Sequence, residues 1–106
     1  MAIIDKATDE EIQGFIGQFS SWSIENNKLH CEYVFADFVQ AFGFMTEVAL
    51  IAERSNHHPE WFNVYKNVVV DLVTHEADGV TERDFNLGKR MEEIAKNRSS
   101  ERVRVN

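Results

Sequence analysis

The run from Lys28 to Phe35 restricts the fold more than any other stretch, because Leu29, Cys31, Tyr33 and Phe35 alternate with Lys28, His30 and Glu32. A period of two sends one set to a buried sheet face and the other to a wet face, as only a strand can. The run Trp22 to Glu25 precedes it, and Asn26-Asn27 between them tolerates positive φ, as a tight hairpin turn requires. A second hairpin is read from Trp61 to Val64 and Asn67 to Thr74. In the longer strand, Val68, Val70, Leu72 and Thr74 share one face, and Val69, Asp71, Val73 and His75 the other.

Between these runs the period changes to that of a helix. Thr8 followed by Glu11 fits a capping box, and Ile12, Phe15, Ile16 and Phe19 repeat at helical spacing, giving a helix from about Asp9 to Phe19. Gly14 and Gly17 weaken it by about 1 kcal/mol each. Asp37 caps a longer helix through Arg54 with two apolar stripes. One is Phe38, Phe42, Met45, Ala49 and Ala52; the other is Ala41, Phe44, Val48 and Ile51. A helix apolar over so much of its circumference needs cover on two sides, from the sheet and from another subunit. Pro59 closes that helical region. After the Asp78-Gly79 turn, Thr81 and Asp84 form another cap, and Leu87, Met91, Ile94 and Ala95 carry the last helix. The expected fold is α+β in the order α-β-β-α-β-β-α, a four-stranded antiparallel sheet with three helices on one face.

At 106 residues the chain is read as one domain, 1–106, with the basic end from about 97 to 106 as a flexible, solvated tail. The formal charge of −7 disfavours direct nucleic-acid binding. No apolar run reaches the roughly 20 residues of a membrane span. The lone Cys31, a core position by its alternation, suits a reducing compartment, and the expected location is the cytoplasm.

Three of the four histidines, His57, His58 and His75, fall at the ends of expected elements, together with Glu53, Trp61 and Asp84. Histidine is the side chain best suited to give and take protons near neutral pH, and a pair can serve as acid and base in one dehydration or isomerisation. The bland alternative makes His57-His58 polar surface, Trp61 a core aromatic, Glu53 a solvated carboxylate and Asp84 a helix-terminal charge. His30, alone on a polar strand face, keeps that bland reading. A metal site could use Glu53, His57 and His75, but no His-x-x-x-His or paired-cysteine spacing supports it, so no metal is expected.

The pattern Glu53, His57-His58-Pro59-Glu60-Trp61, Asn63, Tyr65, Thr74-His75, Gly79, Thr81 and Asp84 resembles the signature of the pterin-4a-carbinolamine dehydratases. Tyr33-Val34-Phe35-Ala36-Asp37-Phe38, Ala41-Phe42-Gly43-Phe44-Met45-Thr46 and Val48-Ala49 are similar to that family as well. The resemblance implies dehydration of 4a-hydroxytetrahydropterin to quinonoid dihydropterin without metal or cofactor, in recycling the pterin of aromatic amino acid hydroxylases. It implies His57, His58 and His75 as the catalytic trio, with Glu53, Trp61, Thr74 and Asp84 shaping the pocket. Asn56 stands where animal members carry Asp, and Val73 where a small hydroxyl residue is usual; both are expected beside the substrate.

The resemblance further implies a homodimer or homotetramer, with strands of two subunits joined and the long helix pairing dimers. Animal members also dock a transcription factor through that helix, so a regulatory binding protein using residues 37–54 is the alternative function. A related enzyme of pterin or molybdopterin metabolism is another.

Overall fold

The computed structural model describes residues 4–98 and 101–103. Its elements run α1 (Asp9–Gln18), β1 (Ser23–Glu25), β2 (Lys28–Val34), α2 (Phe38–Ser55), β3 (Glu60–Val64), β4 (Asn67–Leu72), a short 3-10 turn (His75–Ala77), α3 (Glu82–Lys96) and β5 (Glu101–Val103). The expected caps form. Thr8 Oγ1 accepts from the Glu11 amide at 3.1 Å while Glu11 Oε1 accepts from the Thr8 amide at 2.8 Å. Asp37 Oδ1 accepts from the Gln40 amide at 2.8 Å. Each satisfies amides that the first helical turn leaves without partners.

The two hairpins join through β2 and β4, giving the antiparallel order β1-β2-β4-β3. Asn26 and Asn27 both take positive φ, 52° and 64°, so the β1–β2 turn is the kind whose twist matches its strands. The short β5 adds to the four expected strands: it pairs with Glu32–Val34 of β2, beside β1, which pairs with Lys28–His30. The basic end read as a flexible tail is described only in part. Arg98 reaches back over α2 to Glu47 at 2.7 Å and Gln40 at 3.0 Å. It passes where a Cβ on Gly43 would stand. Residues 99–100 and 104–106 lie outside the described residues.

Leu29, Cys31 and Tyr33 of β2 and Val68, Val70 and Leu72 of β4 are fully buried, and with Phe44, Val48, Leu87 and Met91 they make the core. Burying each large side chain contributes roughly 1.5–3 kcal/mol. Phe15 of α1 stacks on Phe85 of α3, centroids 5.0 Å apart, and its ring tip lies against Gly88, where a Cβ would come within 2.9 Å. Of the two stripes on α2, Ala41, Phe44 and Val48 are buried and Ile51 half-buried. On the other, Ala52 is buried and Met45 half-buried, while Phe38 and Phe42 stay about half exposed and Ala49 lies open. One chain therefore leaves part of α2 uncovered.

Candidate active site

The end of α2 decides where the first histidine goes. Asn56 takes a left-handed conformation, φ 52° and ψ 41°, which its short polar side chain tolerates better than most residues. The His57 amide then donates to the Ala52 carbonyl at 3.0 Å, closing the helix and turning the chain inward. His57 is buried as a result, while His58, the next residue, points outward with 55% of its side chain exposed.

His57 Nε2 lies 2.6 Å from Asp84 Oδ1. Asp84 is fully buried at the start of α3, and its other oxygen, Oδ2, accepts from Thr74 Oγ1 at 2.8 Å and from the Thr81 amide at 2.9 Å. Thr81 Oγ1 and Thr74 Oγ1 are 2.6 Å apart. Because Thr74 donates to Asp84, it accepts from Thr81, whose oxygen in turn accepts from the Arg83 amide at 3.2 Å. The hydroxyls therefore run in one direction toward the carboxylate. Thr81 and Asp84 are also the capping box of α3, so the geometry that starts the helix holds the carboxylate against His57.

The remaining two histidines show the same contact in a wetter setting. His58 Nε2 is 3.0 Å from Glu53 Oε1, and His75 Nε2 is 3.3 Å from Glu60 Oε2. His58 and Glu53 are hydrogen-bonded and His75 faces Glu60 at ion-pair distance; where a ring nitrogen meets an ionised carboxylate, the nitrogen is the donor. Backbone and side chain together gather the trio. His57 is tied through Asp84 to Thr74, the next residue His75 meets Glu60, and Glu60 lies two residues after His58. The loop carrying His75 is closed by Thr74 and Gly79, which pair backbone to backbone. Its left-handed residue is Asp78, φ 55°, rather than Gly79.

Trp61, on β3 opposite Val70, is half-buried and packs against the core. Val73 is half-buried between the end of β4 and Thr74, and Glu53 and Asn56 are exposed beside the histidines. Glu60 is the residue that single-site reading of the sequence passed over. Its other oxygen, Oε1, takes Lys28 Nζ at 2.6 Å. The hydrogen bond from Lys28 lowers the Glu60 pKa from its ordinary value, against the opposing effect of burial. Glu76 is lowered too, first by its own backbone amide and then by Arg83.

His30 is buried rather than solvated. Its Nδ1 is 2.8 Å from Asp71 Oδ1 and its Nε2 2.8 Å from Glu32 Oε2, with Glu25 at 3.7 Å. Burial pushes its pKa down, but the hydrogen bonds to Glu32 and Asp71 outweigh it and the net shift is upward. An open groove between the N-terminal segment, α1 and α3 is lined by Lys6, Glu11, Phe15, Arg83 and Phe85, and by none of the histidines. Glu11 and Arg83 there are already committed, to Thr8 and Glu76. Among the described residues no three His, Cys, Asp or Glu side chains converge as metal ligands would.

Residues 5–94 match the family model described as Pterin 4 alpha carbinolamine dehydratase. The chain belongs to that family. It is thereby an enzyme of the hydro-lyase class, and its relatives support dehydratase function. A protein of Solibacter usitatus with the provisional name pterin-4-alpha-carbinolamine dehydratase is 52% identical over 90 residues, 85% of this chain and 95% of that one. One of Rhizobium rhizogenes with the same provisional name is 50% identical over 95 residues, 88% of this chain and 90% of the other. Among solved structures, a transcriptional coactivator/pterin dehydratase from Brucella melitensis superposes with a TM-score of 0.83 at 39% identity, covering 86% of this chain and 99% of that chain. The pterin dehydratase fold is thus the three-helix, antiparallel-sheet arrangement described above.

Proposed function

We propose that this family member converts 4a-hydroxytetrahydropterin to quinonoid dihydropterin and water by histidine acid–base catalysis, in recycling the pterin cofactor of aromatic amino acid hydroxylases. The observation that carries the reading is the shared arrangement of His57, His58 and His75, each with Nε2 against a carboxylate. Loss of the 4a-hydroxyl requires a proton delivered to a poor leaving group. A nitrogen-bound proton then leaves the ring as the C=N bond forms. One proton enters, one departs, and no oxidation state changes, so the step balances without a redox cofactor.

His57 and His75 are assigned as the proton-transferring pair, and His58 as the group that holds the pterin. Glu53, Asn56, Trp61, Val73, Thr74 and Asp84 complete the pocket, Asp84 and Thr74 by fixing His57 and Trp61 by offering a flat apolar face. The test is purified protein mixed with carbinolamine generated in solution. Dehydration rising in proportion to protein supports the reading. A rate equal to the uncatalysed one, or turnover only on a related pterin or molybdopterin precursor, refutes it.

A second reading is favoured by the uncovered stripe of α2, where Val39 and Leu50 are exposed along with Phe38 and Phe42. Here α2 is a protein-binding surface, occupied by further copies of the chain as dimer or tetramer, or by a regulatory partner. Sedimentation at micromolar concentration, with Phe42→Lys as control, tests it: a stable wild-type monomer counts against self-association. No described helix is long and apolar enough to cross a membrane.

A further inference from the structure

The strands place three charged groups in a row, of which the family signature includes only Glu60. Glu60 begins β3, Asp71 lies opposite it on β4, and His30 lies opposite Asp71 on β2. Lys28, two residues before His30, crosses β4 to reach Glu60. Glu60 therefore stands at the junction between this row and the turn that carries His75.

From the two separate contacts of its carboxylate, we infer that Glu60, held by Lys28, is the positioning residue for His75. One oxygen, Oε1, is taken by Lys28 at 2.6 Å; the other, Oε2, faces His75 Nε2 at 3.3 Å. His75 has 76% of its side chain exposed and sits on a three-residue turn, so packing does little to fix its ring. Its counterpart His57 is fixed by burial and by the Thr74–Asp84 chain. A carboxylate that is itself clamped supplies to an exposed ring what burial supplies to a covered one: a single orientation and a defined protonated nitrogen. Lys28 acts only through Glu60. Without the ammonium, the Glu60 side chain, 41% exposed, is free to rotate into water.

The inference rests on the reading of His75 as a proton-transferring group, and the test separates the two. In steady-state assays of carbinolamine dehydration, Glu60→Ala is expected to lower kcat about 10-fold with KM little changed, as loss of a group orienting a functional histidine does. Glu60→Gln, still an acceptor for His75 but a weaker partner for Lys28, should fall between Ala and wild type. Lys28→Met should lower kcat roughly 3-fold and have no further effect in Glu60→Ala, since coupled groups are not additive. The decisive arm is His75→Gln, in which Glu60→Ala should change kcat by less than about 2-fold. A Glu60 that served only to hold β3 to β2 would cost the same factor in both backgrounds, and that result overturns the inference. So does full kcat in Glu60→Ala while His75→Gln is impaired, and in that case the catalytic reading stands. An active protein indifferent to His75→Gln overturns both. Side-chain 15N relaxation at His75 gives a readout without turnover: a ring as ordered in Glu60→Ala as in wild type also overturns the inference.

Discussion

His57 Nε2 lies 2.6 Å from Oδ1 of Asp84, a carboxylate with no exposed surface whose second oxygen is held by two further donors. Asp84→Asn keeps the shape but replaces one acceptor with an amide donor that faces donors on every side. Hydrogen bonds to a charged group contribute about 1.5–3 kcal/mol, and leaving buried partners unmatched removes at least that much stability. The expected result is an unfolding free energy, from urea titration, lowered by about that amount together with turnover lowered by about 100-fold or more. Unchanged turnover in a folded variant would show that the pair is structural.

The division of labour among the histidines gives a separate expectation. His57→Ala and His75→Ala should each lower kcat by about 100-fold, the usual contribution of one acid–base group. The double variant should lose less than the product, because the two act as one unit. His58→Ala should chiefly raise KM. Rates must be corrected for the uncatalysed dehydration before comparison. The assignment is wrong if His58→Ala abolishes turnover while His57→Ala remains near wild type.

His30 makes stability depend on pH. Its folded pKa lies above the ordinary 6.5, so its stabilising contribution is fully present below that value and is lost as pH rises through the raised folded pKa. Urea unfolding between about pH 6 and pH 9 should show stability falling with pH, and His30→Gln should flatten that slope. The groups facing the ring are Glu25, Glu32 and Asp71. An equal slope in the variant would place the titration elsewhere.

Two helical glycines should respond oppositely to alanine. At Gly88 a Cβ meets the tip of Phe15 at 2.9 Å, and overpacking of this kind costs about 1–3 kcal/mol, more than the roughly 1 kcal/mol that alanine contributes to a helix. Gly88→Ala should therefore destabilise. At Gly43 the obstacle is the flexible end of Arg98, whose exposed contacts are worth roughly 0.2–1 kcal/mol, so Gly43→Ala should be neutral or slightly stabilising. Thermal melts of the two variants check the pair, and a more stable Gly88→Ala would show that Phe15 moves freely.

Much of the fold was legible because its signals are local. Thr8, Asp37 and Thr81 cap helices through residues three or fewer positions away, and Asn26-Asn27 makes its turn within four residues. Alternation placed Leu29 and Val68 inward for the same reason. His30 was misread as solvated because what buries it is strand register, which aligns it with Asp71, 41 residues later. The contact of Glu60 with His75 and Lys28 is likewise a product of three strands meeting, and no spacing in the sequence states it. The three histidines were singled out through resemblance to a family signature, while the carboxylate that each ring faces needed coordinates. β5 lies in a stretch with no apolar period of its own, and only its pairing with β2 defines it.

The run of hydroxyls behind Asp84 ends on the Arg83 backbone amide, a group that does not ionise near neutral pH. Reversing the two threonine hydroxyls would aim them away from the carboxylate and leave Oδ2 with the Thr81 amide alone. Behind Asp84, then, the hydroxyl run offers no second ionisable group to take a proton onward. On the proposed mechanism, in which what one ring delivers to a departing hydroxyl another recovers from the same substrate, such a closed back fits a reaction whose net proton count is zero.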